Sequence, residues 1–227
     1  NMFKTDESTG LLEVIDDTTA AQQDVLAKDL AQYSPEMQAN FAELEKAWGQ
    51  KRGLSMSYED ANTGKENPFF YKKNGYDVNC QTCTVTHELR RRGFNVEAIC
   101  NDRKRVWKIY EKNGVGSKME GYRIGKWLKP DGAPARPYYA REWAQKKYGS
   151  SVVAEKRIDE YLNEMMRNDG RYEICVDWKR GRSAHVFLAE KKDGVIKFFD
   201  PQSGKSNVWN KGKGRGYKYD CKLSQVG

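Results

Sequence analysis

The stretch Asn79-Cys80-Gln81-Thr82-Cys83-Thr84-Val85-Thr86-His87-Glu88-Leu89-Arg90-Arg91-Arg92-Gly93 decides the fold. It reads as one helix with a marked start and stop. Asn79 is a natural N-cap, because its side chain can accept from the free N–H groups of the first turn. Val85 and Leu89, with Thr82 and Thr86 on a neighbouring stripe, give one apolar or small face. Arg90, Arg91 and Arg92 stand at the negative end of the helix dipole, and Gly93 closes the helix. Cys80 therefore falls in the first turn, among backbone N–H groups that no helical carbonyl can satisfy.

Toward the C-terminus the pattern changes to strands. Tyr172–Trp178 alternates, Ser183–Glu190 follows, Lys191-Lys192-Asp193-Gly194 is a hairpin turn, and Val195–Asp200 is the returning strand. The basic, Gly-rich tail Lys211–Tyr219 offers one more strand. Between these blocks, Asn95–Ile99 alternates like a strand. Residues 101–137 are irregular, basic and Gly-rich, with Trp107 and Trp127 among them. Residues 138–148 and 154–167 are predicted helices, the second with an Ile158, Tyr161, Leu162 and Met165 stripe. A helix joined to antiparallel hairpins places the chain in the α+β class.

Toward the N-terminus, Lys51 to Asp77 is turn-rich, with Asn62, Gly64, Asn67-Pro68 and Asn74-Gly75. Residues 18–49 carry Leu26, Leu30, Tyr33, Met37, Phe41, Leu44 and Trp48 at three- or four-residue steps, interrupted at Ser34-Pro35. That predicts two helices, the second capped by Ser34 with Pro35 in its first position. The expected division is a helical extension over 1–50 and a body over 51–227, and no internal repeat is present.

Charge follows the same division. Residues 1–50 hold three Lys against ten acids, a balance of −7; residues 51–227 hold 37 basic and 22 acidic residues, a balance of +15. An acidic segment thus precedes a strongly basic body, which suits an acidic partner. The whole chain has 227 residues, 38% hydrophobic and 12% aromatic, enough to fill a core. No run of 18 apolar residues occurs, so no transmembrane helix is expected. The start Asn1-Met2-Phe3-Lys4 has no signal-peptide apolar core. Five Cys in a chain of this size read as free thiols of a reducing compartment. Only two His, 87 and 185, are available for chemistry that needs an imidazole.

Three features combine into a catalytic constellation. A thiolate is the nucleophilic form of Cys, and the positive end of a helix favours it, which singles out Cys80. His185, in the strand Ser183–Glu190, can accept the thiol proton. Asp200 ends the next strand of the hairpin and can orient the imidazole. Hairpin pairing brings the end of the third strand beside the start of the second. The first-turn N–H groups of the helix can serve as an oxyanion hole.

The blocks "NCQTCTVTHELRRRGFNVEA" (79–98), "GRSAHVFLAE" (181–190) and "FFDPQSG" (198–204) resemble the papain-fold toxin domain of the glutamine deamidase type. That family occurs in polymorphic bacterial toxins and in phage head-morphogenesis proteins. The lead-in "MSYEDANTGKENPFF" with "NGYDVNC" also resembles the family's approach to its nucleophile. The resemblance covers roughly residues 56–205 and leaves 1–50 outside. It implies a papain-like fold, Cys80 as nucleophile, His185 and Asp200 completing the triad, and Gln202 as a substrate or oxyanion contact. Asn79 and Gln81, flanking the nucleophile, join Gln202 as oxyanion or substrate-positioning candidates. It further implies a protein target bearing a glutamine and a cognate immunity protein, possibly acidic. The toxin would be made in a bacterial cytoplasm and delivered by secretion or phage particle into a target cell.

Other readings of the same residues stand beside this one. Cys83 lies in the same turn and is the alternative nucleophile. Cys80-x-x-Cys83 has the spacing of a redox pair. Cys80, Cys83 and His87 have the beginnings of a zinc site that lacks a fourth ligand. His87 otherwise reads as a solvated or satisfied helix His, and Cys100, Cys175 and Cys221 as core or incidental thiols. Arg90-Arg91-Arg92 and the tail Lys211, Lys213 and Arg215 have the composition of a phosphate-binding surface. No recognised nucleic-acid motif accompanies them, and Gly212–Gly216 precedes no helix, so neither nucleic acid nor a dinucleotide is expected. No cofactor or metal is expected. A cysteine protease could use the same triad, and a non-catalytic basic binding module of a phage or secretion particle would use none of it.

Overall fold

The computed structural model describes residues 2–5, 12–15, 19–61, 65–101, 128–129, 131–178, 184–206 and 217–227. Trp107, Trp127, and the tail residues Lys211, Lys213 and Arg215 with the Gly212–Gly216 run lie outside the described residues.

β1 (Met2–Thr5) and β2 (Leu12–Ile15) pair as a separate antiparallel hairpin. α1 (Ala20–Ala31) starts in a capping box: Gln22 N donates to Thr19 Oγ1 at 3.3 Å, and Thr19 N donates to Gln22 Oε1 at 2.8 Å. α2 (Pro35–Trp48) begins as the sequence predicts, with Pro35 first and Ser34 Oγ accepting from Met37 N at 3.2 Å. α3 (Tyr58–Ala61) is one short turn. α4 (Cys80–Arg91) is the helix that opened the sequence reading. Gly93 ends it with φ +101, and a Cβ there would collide with the Gly53 carbonyl oxygen. Only glycine fits both the left-handed backbone and that close approach.

β3 (Tyr138–Tyr139) leads into α5 (Ala140–Tyr148), so the helix predicted from 138 starts two residues later. The first two residues are taken by pairing with the strand nearest the C-terminus. The helix predicted over 154–167 is split into a 3₁₀ segment, Ser151–Lys156, and α6 (Ile158–Met165). The remaining strands are β4 (Gly170–Trp178), β5 (Ala184–Lys192), β6 (Val195–Asp200), β7 (Lys205–Ser206) and β8 (Tyr217–Gln225). The sheet order is β3-β8-β4-β5-β6-β7, built on the four longer strands, and all its pairs are antiparallel. In the tail expected to offer one more strand, residues 211–216 lie outside the described residues, and β8 begins at Tyr217 and runs on to Gln225. The strand expected over Asn95–Ile99 is not one. Among the described residues, Asn95–Ile99 has no strand partner and is held by single bonds, as where Ala98 N donates to the Glu66 carbonyl at 2.7 Å.

Side chains alternate across a strand, so each face of the sheet takes its own cover. Tyr172, Ile174, Val176, Phe187, Ala189, Cys221 and Leu223 pack against α5, the 3₁₀ segment and α6. The opposite face meets α4, where His87 packs on Phe199 and Arg91 pairs with Glu190. On its far side α4 meets α2: Met37, Phe41 and Leu44 share a buried cluster with Val85, Leu89, Phe94 and Val226. Arg52 adds a polar tie. It pairs with Asp29, donates to the Arg92 carbonyl at 2.6 Å and lies over the rings of Tyr33 and Phe41. Among the described residues, α2 packs on α4 at Val85 and Leu89, which braces the second half of that helix.

The arginine run is part of this packing. Arg90 and Arg92 are each 2% exposed, and Arg91 is half-buried against Glu190. Arg92 Nε donates to Glu88 Oε1 at 2.8 Å, and Arg171 reaches both oxygens of Glu88 at 2.8 Å. Burial alone would raise the Glu88 carboxyl, but the Arg171 and Arg92 charges outweigh it and hold the group far below the usual carboxylate range. A surface phosphate site needs free guanidinium groups, and these are spent on internal partners. Among the described residues, no helix is long and apolar enough to cross a membrane.

Candidate active site

Cys80 is the first residue of α4 and is partly exposed. Its thiol lies beside His185 and the backbone of Val186 and Gln81, each of which favours the thiolate. Burial would raise the thiol, but these contacts and the His185 charge bring it below its ordinary value. His185 is the second residue of β5, and Asp200 is the last residue of β6. The β5–β6 register sets Leu188 opposite Phe199, so the end of β6 lies beside the first half of β5. His185 Nε2 stands 3.3 Å from Asp200 Oδ2. Burial lowers the affinity of His185 for a proton, yet Asp200 and Cys80 outweigh it and push the imidazole up to about 9. The three residues singled out by the sequence are thus brought together, although 105 positions separate Cys80 from His185 in the numbering.

Asp200 is itself held. Gln202 N donates to its Oδ1 at 3.0 Å, and Ser203 Oγ donates to its Oδ2 at 2.9 Å. Both bonds come from the turn that follows β6, an Asx-type arrangement that locks the carboxylate.

Cys83, one turn further along, is fully buried, and burial raises its thiol far above the ordinary value. The two cysteines of the first turns therefore have opposite chemistry. All five cysteines are free thiols. His87 is neither solvated nor fully satisfied. It is 3% exposed, packs on Phe199 with Tyr58 nearby, and has no partner for Nδ1. Burial pushes its imidazole down to about 3, so it stays neutral. Among the described residues, no group of three His, Cys, Asp or Glu is arranged to hold a metal ion.

The flanking candidates separate. Gln81 is exposed beside the thiol. Asn79 stands at the N-cap position, but its side chain makes no capping bond. Its amide turns inward, donating to the Ile99 carbonyl at 3.0 Å and to Asn67 Oδ1 at 3.2 Å. Gln202 is 7% exposed, and its Nε2 lies 3.5 Å from Asn79 Oδ1. Both amides face protein partners. The first-turn N–H groups of α4, which no helical carbonyl can satisfy, are the donors this end of the helix offers.

Two residues at the site were missed by the sequence reading. Asn67 was seen only as part of an Asn-Pro turn. Its Nδ2 donates to the Gln202 carbonyl at 2.7 Å and to the Tyr76 carbonyl at 2.9 Å. Glu66 is fully buried with neither carboxyl oxygen hydrogen-bonded. Burial raises its carboxyl to about 7, against the pull of Arg90 and with the repulsion of Asp200. No local pattern marks either residue: Glu66 is buried by the tertiary fold, and the nearest acceptor of Asn67, the Gln202 carbonyl, is 135 positions away.

No protein-family model matches the chain, and no curated protein matches it.

Proposed function

We propose that the chain is a papain-like cysteine hydrolase that hydrolyses a carboxamide, with a glutamine side chain of a target protein as substrate. The observation that carries this reading is the contact of His185 with both the Cys80 thiol and the Asp200 carboxylate, at the N-terminus of a helix. A lowered thiol beside a raised imidazole is the combination that stores a thiolate–imidazolium pair near neutral pH.

The reaction runs in two halves. Cys80 Sγ attacks the carboxamide carbon, and the carbonyl oxygen takes up negative charge facing first-turn N–H groups of α4. His185 gives its proton to the departing nitrogen, ammonia leaves, and a thioester to Cys80 remains. Water, deprotonated by His185, then attacks the thioester. The acid departs, leaving Cys80 as thiolate beside protonated His185, and then ionises to a carboxylate as its proton passes to the released ammonia. Asp200 keeps the ring oriented and its charged form stable throughout. The target loses a neutral amide and gains a negative charge, which disables an interface that buried that amide.

The resemblance supplies the wider setting: a toxin or effector domain, made in a bacterial cytoplasm, carried into a target cell by a secretion system or phage particle, and neutralised at home by an immunity protein. An acidic immunity protein fits the +15 balance of residues 51–227.

The test pairs growth on intracellular expression with mass analysis of proteins treated with the pure chain. Wild type should arrest growth, release ammonia and add about one dalton per modified glutamine, the exchange of NH₂ for OH through an acyl-enzyme. Cys80→Ala and His185→Ala should do neither, and Cys83→Ala should retain both. Cleaved fragments in place of the mass gain would make the chain a protease. Full activity in Cys80→Ala would overturn the triad and leave a basic binding module.

A further inference from the structure

Three buried amides lie behind the site. Asn67 is 5% exposed, Asn79 2% and Gln202 7%. An amide NH₂ has two hydrogens, and Asn67 Nδ2 faces two carbonyls, of Gln202 at 2.7 Å and Tyr76 at 2.9 Å. Carbonyls only accept, so the Asn67 amide has one orientation. Its Oδ1 then accepts from Asn79 Nδ2 at 3.2 Å. Asn79 uses its other hydrogen on the Ile99 carbonyl at 3.0 Å.

This cluster joins four segments that share no strand: the loop at 67, the N-terminus of α4, the connection at 99 and the turn after β6. Two of those segments carry the site. Asn79 is the neighbour of Cys80, and Gln202 is the residue whose N–H holds Asp200 Oδ1 at 3.0 Å. Asn67 is the member bonded to both.

We propose that Asn67 is a positioning residue that fixes the spacing between the Cys80 end of α4 and the turn that carries Asp200. The proposal rests on the triad reading above. Nothing else in the cluster spans this gap as well, since the Gln202 Nε2 to Asn79 Oδ1 separation of 3.5 Å is at the limit of a hydrogen bond. Without the Asn67 amide, the Gln202 and Tyr76 carbonyls and the Asn79 amide lose partners in a buried place. The turn then relaxes, and Asp200 with it.

The experiment measures the rate of Cys80 alkylation by iodoacetamide, located by peptide mass, from about pH 4 to 10. Wild type, Asn67→Ala and His185→Ala are compared, with the melting temperature of each. Wild type should keep an acid limb, reacting well below pH 7. Asn67→Ala should lose about tenfold or more in rate near pH 6 and stay within about twofold near pH 10, where exposed thiols are ionised unaided. Asn67→Ser keeps one donor and leaves room for a water; it should fall between, and it carries the test if Asn67→Ala does not fold. A lowered melting temperature with a profile superimposed on wild type would make Asn67 merely structural and overturn the proposal. A wild-type profile without the acid limb, equal to that of His185→Ala, would overturn the triad reading itself, and the positioning role with it.

Discussion

His185 Nε2 lies 3.3 Å from Asp200 Oδ2, and the same ring stands beside the Cys80 thiol and favours its thiolate. One imidazole thus links the end of β6 to the start of α4. Asp200→Asn keeps the shape and removes the charge that favours the protonated ring. Its expected effect is a His185 midpoint moved down from about 9 toward the ordinary value, and roughly a 10- to 1000-fold loss of turnover. Steady-state kinetics of ammonia release on the variant check it; turnover within twofold of wild type would count against an orienting role for Asp200.

Glu66 makes stability depend on pH in a way that is opposite to an ordinary paired carboxylate. Its folded value of about 7 lies above that of the unfolded chain. The folded state therefore holds a proton that the unfolded state has lost between about pH 4.5 and 7. The stability this gives is fully present below the unfolded value and lost as pH rises through about 7. Each unit of displacement corresponds to about 1.4 kcal/mol, so the window spans roughly 3 kcal/mol at most. Glu66→Gln, neutral throughout, should be more stable than wild type at pH 8, and the gain should vanish near pH 4.5. Urea unfolding at both values measures it, and a gain independent of pH would contradict it.

Glu88 is the sole carboxylate placed within salt-bridge distance of Arg92 and Arg171 among the described residues. Glu88→Ala removes this carboxylate from two largely buried guanidinium groups. The expected cost is about 3–5 kcal/mol, typical of removing one partner from a buried ionic group. Denaturant unfolding gives the number directly; a loss under 1 kcal/mol would mean that water or other groups compensate the arginines.

Phe41 is 3% exposed and packs edge-on against Tyr33 and Phe94, the latter just beyond α4. Phe41→Ala should cost about 3–5 kcal/mol by transfer and cavity effects. If α2 is part of the body's core, the whole unfolding transition should shift to lower temperature as one step. Calorimetry that instead showed a small separate transition moving, with the main one fixed, would make residues 1–50 an appended unit.

Local chemistry was legible in the sequence. Ser34-Pro35 marks a helix start because a hydroxyl and a fixed φ act within one turn. The α4 stop is legible because Gly93 alone tolerates its backbone. β4, β5 and β6 alternate because each face has its own neighbours. Asn95–Ile99 alternates as well, but it pairs with no strand among the described residues, and alternation without a partner is not a strand. The arginine run misled for a related reason. Its counter-charges are Glu88 in the same helix and Glu190 on the opposing strand, and Arg171, which shares Glu88, lies 83 positions away. Cys80, His185 and Asp200 could be singled out because each sits at or near the end of an element, and Cys and His are scarce in the chain. Asn67 was not, because its key acceptor, the Gln202 carbonyl, is 135 positions off. Asparagine before proline has an ordinary turn explanation that hides such a role.

The most direct test is a titration of the two histidine rings by NMR with labelled histidine. The chain has only His87 and His185, so both signals can be followed and assigned with one variant. The account predicts one ring that stays neutral from pH 5 to 10, His87, and one with a midpoint near 9, His185, that falls markedly in Cys80→Ala. A His185 midpoint near 6.5 that Cys80→Ala leaves unchanged would show that no thiolate–imidazolium pair forms, and the proposed chemistry would have no nucleophile.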